Sequence, residues 1–486
     1  MILKLLYAVF YVFLVRFIWI LGKWIGDLEY QRRLCSRIPG PESLPLIGSL
    51  HKVPKDDSKV EEWFVKEANK VIRSGGNIMK LWICHELRIY LLDGEAVKPL
   101  INSTEEIVKG RDYGTIKRWM GEGLLTSHGN KWVKQRKLLT PAFHFAKLGE
   151  YSDLIDDHVE KFVEILNYKA DGQEINFHHY VKYMTLDIIM QATMNVNLDL
   201  QEQNDHPYVK AVDKFADLEL RIIQNPFLHL PGAMWLSGIE SEMRKTIKIL
   251  KSFSSQIINE RLKPRQKETK KRPDFLDLLL EQMDLEELTE NVDTFLFAGH
   301  DTTAHAISWT IWCLATNPKA QERLYAELSA NTNHRESKYL DAVIKESMRL
   351  YPPVPFVERQ LKSEMQIGKY RLPRGSNVVI PQLLLHHNEK IFNDHWSFDP
   401  NRFLNDRVYP PTSYLPFSAG LRNCIGQRFA MIEVRCVLKH LIRNFEFSSD
   451  YKMQENWTLA EMVLRPGIGI PVRLNKRFFL LIEAVD

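Results

Sequence analysis

The segment FSAGLRNCIGQRFA, Phe417 to Ala430, sets one cysteine among glycines and a guanidinium. A lone cysteine is ordinarily a small buried hydrophobe, but the neighbours of Cys424 suit a reactive or ligating sulfur. Gly420 and Gly426 let the backbone turn tightly and approach a flat ligand, while Arg422 places a fixed positive charge nearby. Ile425, Phe429, Ala430, Ile432, Val434 and Leu438 predict a helix that begins just after the cysteine. The N–H groups of such a helix start carry positive potential and favour a thiolate over a thiol.

A thiolate of this kind serves as a nucleophile, a redox thiol or a metal ligand. The five cysteines, Cys35, Cys84, Cys313, Cys424 and Cys436, form no C-x-x-C pair, so zinc, a dithiol centre and an iron–sulfur cluster all lack their usual spacing. One sulfur ligand alone suggests haem, to whose iron a thiolate donates electron density. Phe417, Gly420, Arg422, Cys424 and Gly426 match F-x-x-G-x-R-x-C-x-G, the haem-binding signature of the cytochrome P450 superfamily. The resemblance runs from the proline-rich segment near the N-terminus to the end of the chain. It implies a mainly α fold with a large helical part and a small β-rich part. It also implies haem b with Cys424 as the iron ligand and Phe417 and Gly426 beside the cofactor.

A second stretch, VDTFLFAGHDTTAHAISWTIWCLATNP, Val292 to Pro318, has the length and apolar content of a long buried helix stopped at Asn-Pro. Asp301, Thr302 and Thr303 in its middle compete for backbone hydrogen bonds and are costly to bury unpaired. On their own they fit a kinked helix with satisfied hydroxyls, and a second membrane span is opposed by Asp301. AGHDTT resembles the family's A-G-x-D-T-T motif. That likeness implies catalytic roles for Asp301 and Thr302 in relaying protons to dioxygen, with Gly299 leaving room for it.

Trp132 and Arg136 stand at i and i+4 in GNKWVKQRK and share one helical face, with Lys131, Lys134 and Lys137 on another. The W-x-x-x-R pattern resembles the family helix whose indole and guanidinium bind the haem propionates, a use suited to charge-assisted bonds. Arg359 and Arg422 match further propionate partners. The lysines read by default as a solvated face, and the resemblance adds docking of an acidic flavoprotein reductase. Glu346 and Arg349, three apart, match the family's E-x-x-R pair, which Arg402 closes into a structural triad.

The elements that must position these residues occupy most of the 486 residues, of which 45% are hydrophobic. A formal charge of +4 from 65 basic and 61 acidic side chains gives no indication of a nucleic-acid partner. The odd cysteine count fits a reducing compartment. LLYAVFYVFLVRFIWILG, Leu5 to Gly22, is a nearly continuous apolar segment, at roughly 1.5 Å per residue long enough for most of a bilayer, and is expected to be a transmembrane helix. Lys23, Arg32, Arg33 and Arg37 follow, a positive excess expected to hold that side in the cytoplasm. Pro39, Pro41 and Pro45 then preclude a regular helix. The expected division is a membrane anchor over 1–22, a basic and proline-rich linker over 23–48 and a catalytic domain over 49–486. The basic run from Lys263 to Arg272 reads as a solvated loop.

VDTFLFAGHDTT and GLLTSHGNKWVKQRKLLTPAFHF most resemble family 4 of the superfamily, whose members commonly hydroxylate fatty acids and related lipids at or near the terminal carbon. Where many of them carry a glutamate that becomes ester-linked to haem, this chain has Ala298, so haem is expected to be held without that ester. The resemblance implies a microsomal monooxygenase of the endoplasmic reticulum, catalytic domain on the cytosolic side. It would take electrons from NADPH through NADPH–cytochrome P450 reductase, with cytochrome b5 as a second partner. Pocket walls carried over by matching are 113–125, the apolar turn NPFLHLPGAMW, 297–302, 354–357 and 460–463. Apolar walls of this kind also accept sterols, terpenoids and foreign compounds. A reductase-independent haem-thiolate isomerase and a haem-based sensor are the remaining readings.

Overall fold

The structure, a computed structural model, describes residues 2–477 except 46, 144, 204, 231, 264–274, 331–336 and 405–408. The expected solvated loop from Lys263 to Arg272 lies, from 264 onward, outside the described residues, as do several side chains near the N-terminus and around 145–150. Helix α1 spans Ile2–Leu34, strands β1 and β2 Ile78–Ile83 and Glu86–Leu91, and helices α2 and α3 Tyr113–Met120 and Gly129–Leu139. Helices α4 to α7 follow at Phe145–Asn167, Phe177–Met194, Pro207–Gln224 and Ile239–Leu262. The long helix α8 covers Leu285–Ala315 and α9 Lys338–Leu350. Strands β3 and β4, Val357–Gln360 and Asn377–Ile380, and helix α10, Gln427–Asn444, complete the frame.

The expected helical part with a smaller β part is what forms. Helix α8 runs through the middle of the main core. Its start is fixed by the Asp284 side chain, which accepts from the Glu287 N–H, and by the acidic first turn of Glu286 and Glu287, which complements the helix dipole. From Asn291 onward it is buried on nearly every side, and it packs most extensively along α5. The sheet stands at the other side of the molecule in the order β1-β2-β4-β3, with β2 and β4 parallel and the outer pairs antiparallel. Two smaller apolar clusters cover its faces.

The N-terminal expectations are revised in two respects. Residues 23–34, read as linker, continue α1 without a break, because no proline or glycine pair interrupts them before Cys35. The proline-rich stretch after it is bound to the sheet: the Lys80 N–H donates to the Pro39 carbonyl at 2.8 Å and the Ser49 N–H to the Trp82 carbonyl at 2.6 Å. Among the described residues no helix is long and apolar enough to cross a membrane, so the expected transmembrane helix over 5–22 gains no support here. Arg16 interrupts the apolar run, and several of its side chains lie outside the described residues. Those that are described, including Phe10, Phe17, Ile18 and Trp19, are exposed.

The E-x-x-R pair forms the expected triad and ties α9 to the loop beneath the sheet. Arg349 donates to both oxygens of Glu346 at 2.8 and 2.9 Å, and Arg402 Nε donates to Glu346 Oε1 at 3.2 Å. The remaining guanidinium donors of Arg349 reach the carbonyls of His386, His395 and Ser397. Full burial with every donor directed is the condition under which a buried ion pair holds its place.

Candidate functional site

Cys424 sits just ahead of α10, held by its N–H donating to the Phe417 carbonyl at 3.0 Å. Between them the loop passes Gly420 at φ +71°, where a Cβ would lie 2.0 Å from the Ile101 carbonyl oxygen, so only glycine permits this turn. At Gly426 a Cβ would meet nothing within 4 Å, and both Gly426 and Cys424 border a cavity of about 260 Å³. Of the five cysteines, Cys424 is the one on this wall. Cys436, whose Sγ approaches Asp156 Oδ1 at 2.8 Å near His440, lies elsewhere. Cys424 is exposed, yet desolvation by the surrounding protein raises its thiol pKa and outweighs the Gly426 N–H and Arg136, which lower it. The helix start therefore does not by itself make the expected thiolate. A coordinated metal cation does, since it deprotonates a ligating thiol.

The cavity is ringed by cations. Lys109, Arg136 and Arg422 line it, and among the described residues of its wall there is no carboxylate. Arg422 donates to the carbonyls of Leu125 and Ser127 at 3.2 and 2.9 Å, its guanidinium lies 4.7 Å from the centre of the Trp132 ring, and its Nε is buried without a partner. Burial, then the neighbouring Arg359 and Arg136, press its pKa down to about 9. Lys109 is pushed well below its usual range by burial and by Arg359 and Arg422. Buried like charges without counter-charges are unfavourable unless an anion joins them. Haem b fits this arrangement: two propionates for the cations, Cys424 for the iron, and Phe295, Phe417 and Phe429 among the apolar wall for the ring faces.

The residues expected from sequence divide into those the fold brings to the cavity and those it does not. Trp132, Arg136, Phe417, Arg422, Cys424, Gly426 and Thr302 line it. Arg359 does not: it is buried beside the wall with Nη1 donating to its neighbour's carbonyl, that of Glu358, at 2.9 Å, and Lys109 and Tyr113 stand in front. Asp301 is also absent from the wall, because adjacent residues of a helix point about 100° apart and Thr302 and Thr303 are the ones that turn inward. Asp301 is buried behind α8 with His305 Nδ1 3.6 Å away, and burial raises its pKa to about 6. Gly299 borders the cavity, but the Cβ it lacks would lie 2.4 Å from Ile189 Cγ1 on α5, so helix packing accounts for the glycine. Thr302 and Thr303 donate to the carbonyls four residues back, both at 2.8 Å, and α8 stays helical through them.

Sequence reasoning missed Lys109, whose Nζ lies 3.4 Å from the Oη of Tyr113, a residue of the expected wall 113–125. A lone lysine in a loop carries no local signal of burial. It also misplaced one wall of the adjoining cavity, of about 290 Å³. The segments 113–125, 297–302, 354–357 and 460–463 all contribute to it, but none of the described residues of the apolar turn NPFLHLPGAMW does: Phe227, Leu230 and Trp235 are exposed and Leu228 packs into the main core. Helix α6 supplies Glu219, Leu220, Ile223 and Gln224 in its place. The two cavities share Tyr113, Leu125, Ala298, Thr302 and Val354.

Such a cavity, entered by a cysteine at a helix start and ringed by cations, defines a haem-thiolate protein. The family model described as Cytochrome P450 matches residues 38–471, and the chain belongs to that family. It is 35% identical to mouse (Mus musculus) cytochrome P450 4V2 over 82% of each chain. It is 33% identical to the probable cytochrome P450 4s3 of Drosophila melanogaster over 94% of this chain and 95% of the relative, and 31% identical to cytochrome P450 4c3 of the same fly over 91% and 89%. The protein is a cytochrome P450 monooxygenase that carries haem with cysteine thiolate ligation and, as is typical of the family, draws electrons from NADPH through a reductase.

Proposed function

We propose that this monooxygenase hydroxylates a long-chain lipid, a fatty acid or a related molecule, at or near its terminal carbon. The observation that carries the reading is that the two cavities share Ala298, Thr302 and Val354: the haem site adjoins a space whose wall includes the apolar side chains of Phe297, Phe356, Leu383 and Met462. Such walls suit an extended hydrocarbon.

In this reading Cys424 is the iron ligand, and Trp132, Arg136, Arg422 and Lys109 hold the propionates, with Arg359 adding positive potential from behind. Haem, when bound, supplies the oxygen activation that ends in insertion of one oxygen atom into a C–H bond. Thr302 holds its proton on the Ala298 carbonyl and, by rotation about χ1, offers the hydroxyl to the cavity. Asp301, buried and with a raised pKa, stores a proton behind the same turn. Ala298 borders both cavities and has no carboxylate, so haem is retained by the thiolate, the cations and apolar burial.

The reductase, and cytochrome b5 with it, docks near α3, where Lys134 and Lys137 are exposed; Lys131 is drawn inward to Glu290 at 3.4 Å. The exposed apolar residues of α1, with Phe227, Leu230, Trp235 and Leu236, attach the enzyme to the endoplasmic reticulum membrane with its catalytic body in the cytosol. Deleting residues 1–22 shifts the protein from the membrane pellet towards the supernatant, and an unchanged pellet fraction contradicts this attachment. Incubation with reductase, NADPH and a mixed lipid pool, followed by mass analysis, should reveal a lipid that has gained one oxygen at or near its terminal carbon. Oxygen gained only by sterols, terpenoids or foreign compounds would overturn the lipid reading.

A further inference from the structure

Helix α6 carries one side chain that packing does not explain. Glu219 is only 3% exposed, lines the second cavity, and has no hydrogen-bond or ion-pair partner among the described residues. An unpartnered buried carboxyl costs free energy that a ligand can return. The surroundings say which ligand. Glu61, Asp112, Glu358 and Glu461 share the wall with Glu219, and Arg88 is the one base there among the described residues. Arg88 is already committed: it donates to both oxygens of Asp112 at 2.6 and 2.7 Å and approaches Glu358 at 3.4 Å. A free carboxylate entering this space would find carboxyl groups and no unengaged cation.

Resting on the lipid-hydroxylase reading above, we propose that Glu219 receives the head group of the substrate, and that this head is an uncharged hydroxyl, as in a long-chain alcohol, and not a free carboxylate. Burial, with Asp112, Glu461 and Glu358 nearby, raises the Glu219 pKa well above the carboxylate range. The protonated carboxyl then both donates and accepts, which matches a hydroxyl that does the same. The geometry also orients the chain. Glu219 borders only the second cavity and Cys424 only the first, with Ala298, Thr302 and Val354 between them, so a head at Glu219 sends the far end of the chain towards the haem site.

The test uses the haem-loaded protein and three straight-chain probes of one length: primary alcohol, free acid and primary amine. Affinities are read by equilibrium dialysis and products by competitive turnover with reductase and NADPH. The native protein should bind the alcohol about tenfold more tightly than the acid, the scale of one or two buried hydrogen bonds. Glu219→Leu should reduce that ratio severalfold, while Glu219→Gln, which still donates and accepts, should stay close to the native ratio. Both variants should keep the native haem spectrum. An acid bound as well as the alcohol, an amine bound better than either, or a ratio unchanged in Glu219→Leu overturns the proposal. Acid preferred and normally hydroxylated defeats this inference alone; binding of the series without oxygen gain in any member defeats the lipid-hydroxylase reading, and the binding ratios still judge Glu219.

Discussion

Two cavities meet at Ala298, Thr302 and Val354, and their walls carry opposite charge. One gathers Lys109, Arg136 and Arg422 with, among the described residues, no acid on its wall; the other gathers Glu61, Asp112, Glu219, Glu358 and Glu461 around Arg88, the one base there among the described residues and already paired. On each wall burial disfavours the charged form, lowering Lys109 and Arg422 on one and raising Glu61 to about 7 on the other, as desolvation requires. The two walls differ in what relieves the cost. The cation wall is answered by a dianionic cofactor that stays bound. On the acid wall Asp112 is paired with Arg88, while burial favours the protonated form of Glu219, which can then hydrogen-bond a passing substrate.

The comparison breaks most completely at Cys424. Cys424→Ala removes the sulfur of the cation-ringed cavity, and activity should fall to background with loss of the red-shifted Soret band of the reduced carbonyl complex, which depends on thiolate donation. An intact band in the variant would assign the ligand elsewhere.

A smaller effect is expected on the acid wall. Glu61 is buried, accepts from Thr458 at 2.5 Å and holds its proton up to about pH 7, against an ordinary carboxyl value of 4.5. Between those values the folded protein binds a proton that the unfolded chain releases, so stability falls as pH rises through this window, by roughly 3 kcal/mol in all for one group. Glu61→Gln should flatten that part of the melting-temperature profile, and an identical slope in the variant would remove Glu61 as its source.

The smallest of these effects sharpens the cation wall. Lys109→Met removes a like charge facing Arg422, so the haem-free protein should be at least as stable as the native chain, while haem transfer to a scavenging apoprotein should quicken by about tenfold, equivalent to roughly 1.4 kcal/mol. Unchanged haem retention would place Lys109 outside the propionate site.

The division between what was legible and what was not follows the range of the interactions. Cys424, with Phe417, Arg422 and Gly426, was readable because a loop that must turn and then start a helix encodes its geometry within ten residues, and the positive φ at Gly420 bears this out. Glu346, Arg349 and Arg402 were readable as a matched motif, and their ion pairs form as the motif implies. Asp301 and Thr302 look equivalent in sequence, yet helical geometry and the packing of α8 against its neighbours turn only Thr302 into the cavity. Arg359, expected as a propionate partner, lies on β3 outside the wall, while Lys109, joined to it by an antiparallel bridge, lines the cavity.

By itself the sequence determined the family, the single candidate sulfur and the helical frame, since these depend on local turns, periodicity and fixed offsets. Only the tertiary structure decided that Phe227, Leu230 and Trp235 face outward, that α6 supplies a wall, and that Glu219 shares that wall with Glu61, Asp112, Glu358 and Glu461. Those acids come from segments up to 400 residues apart in the chain. Their mutual desolvation exists only once the chain has closed around them, because the energy of a buried charge depends on what surrounds it in space and leaves no mark on neighbouring positions.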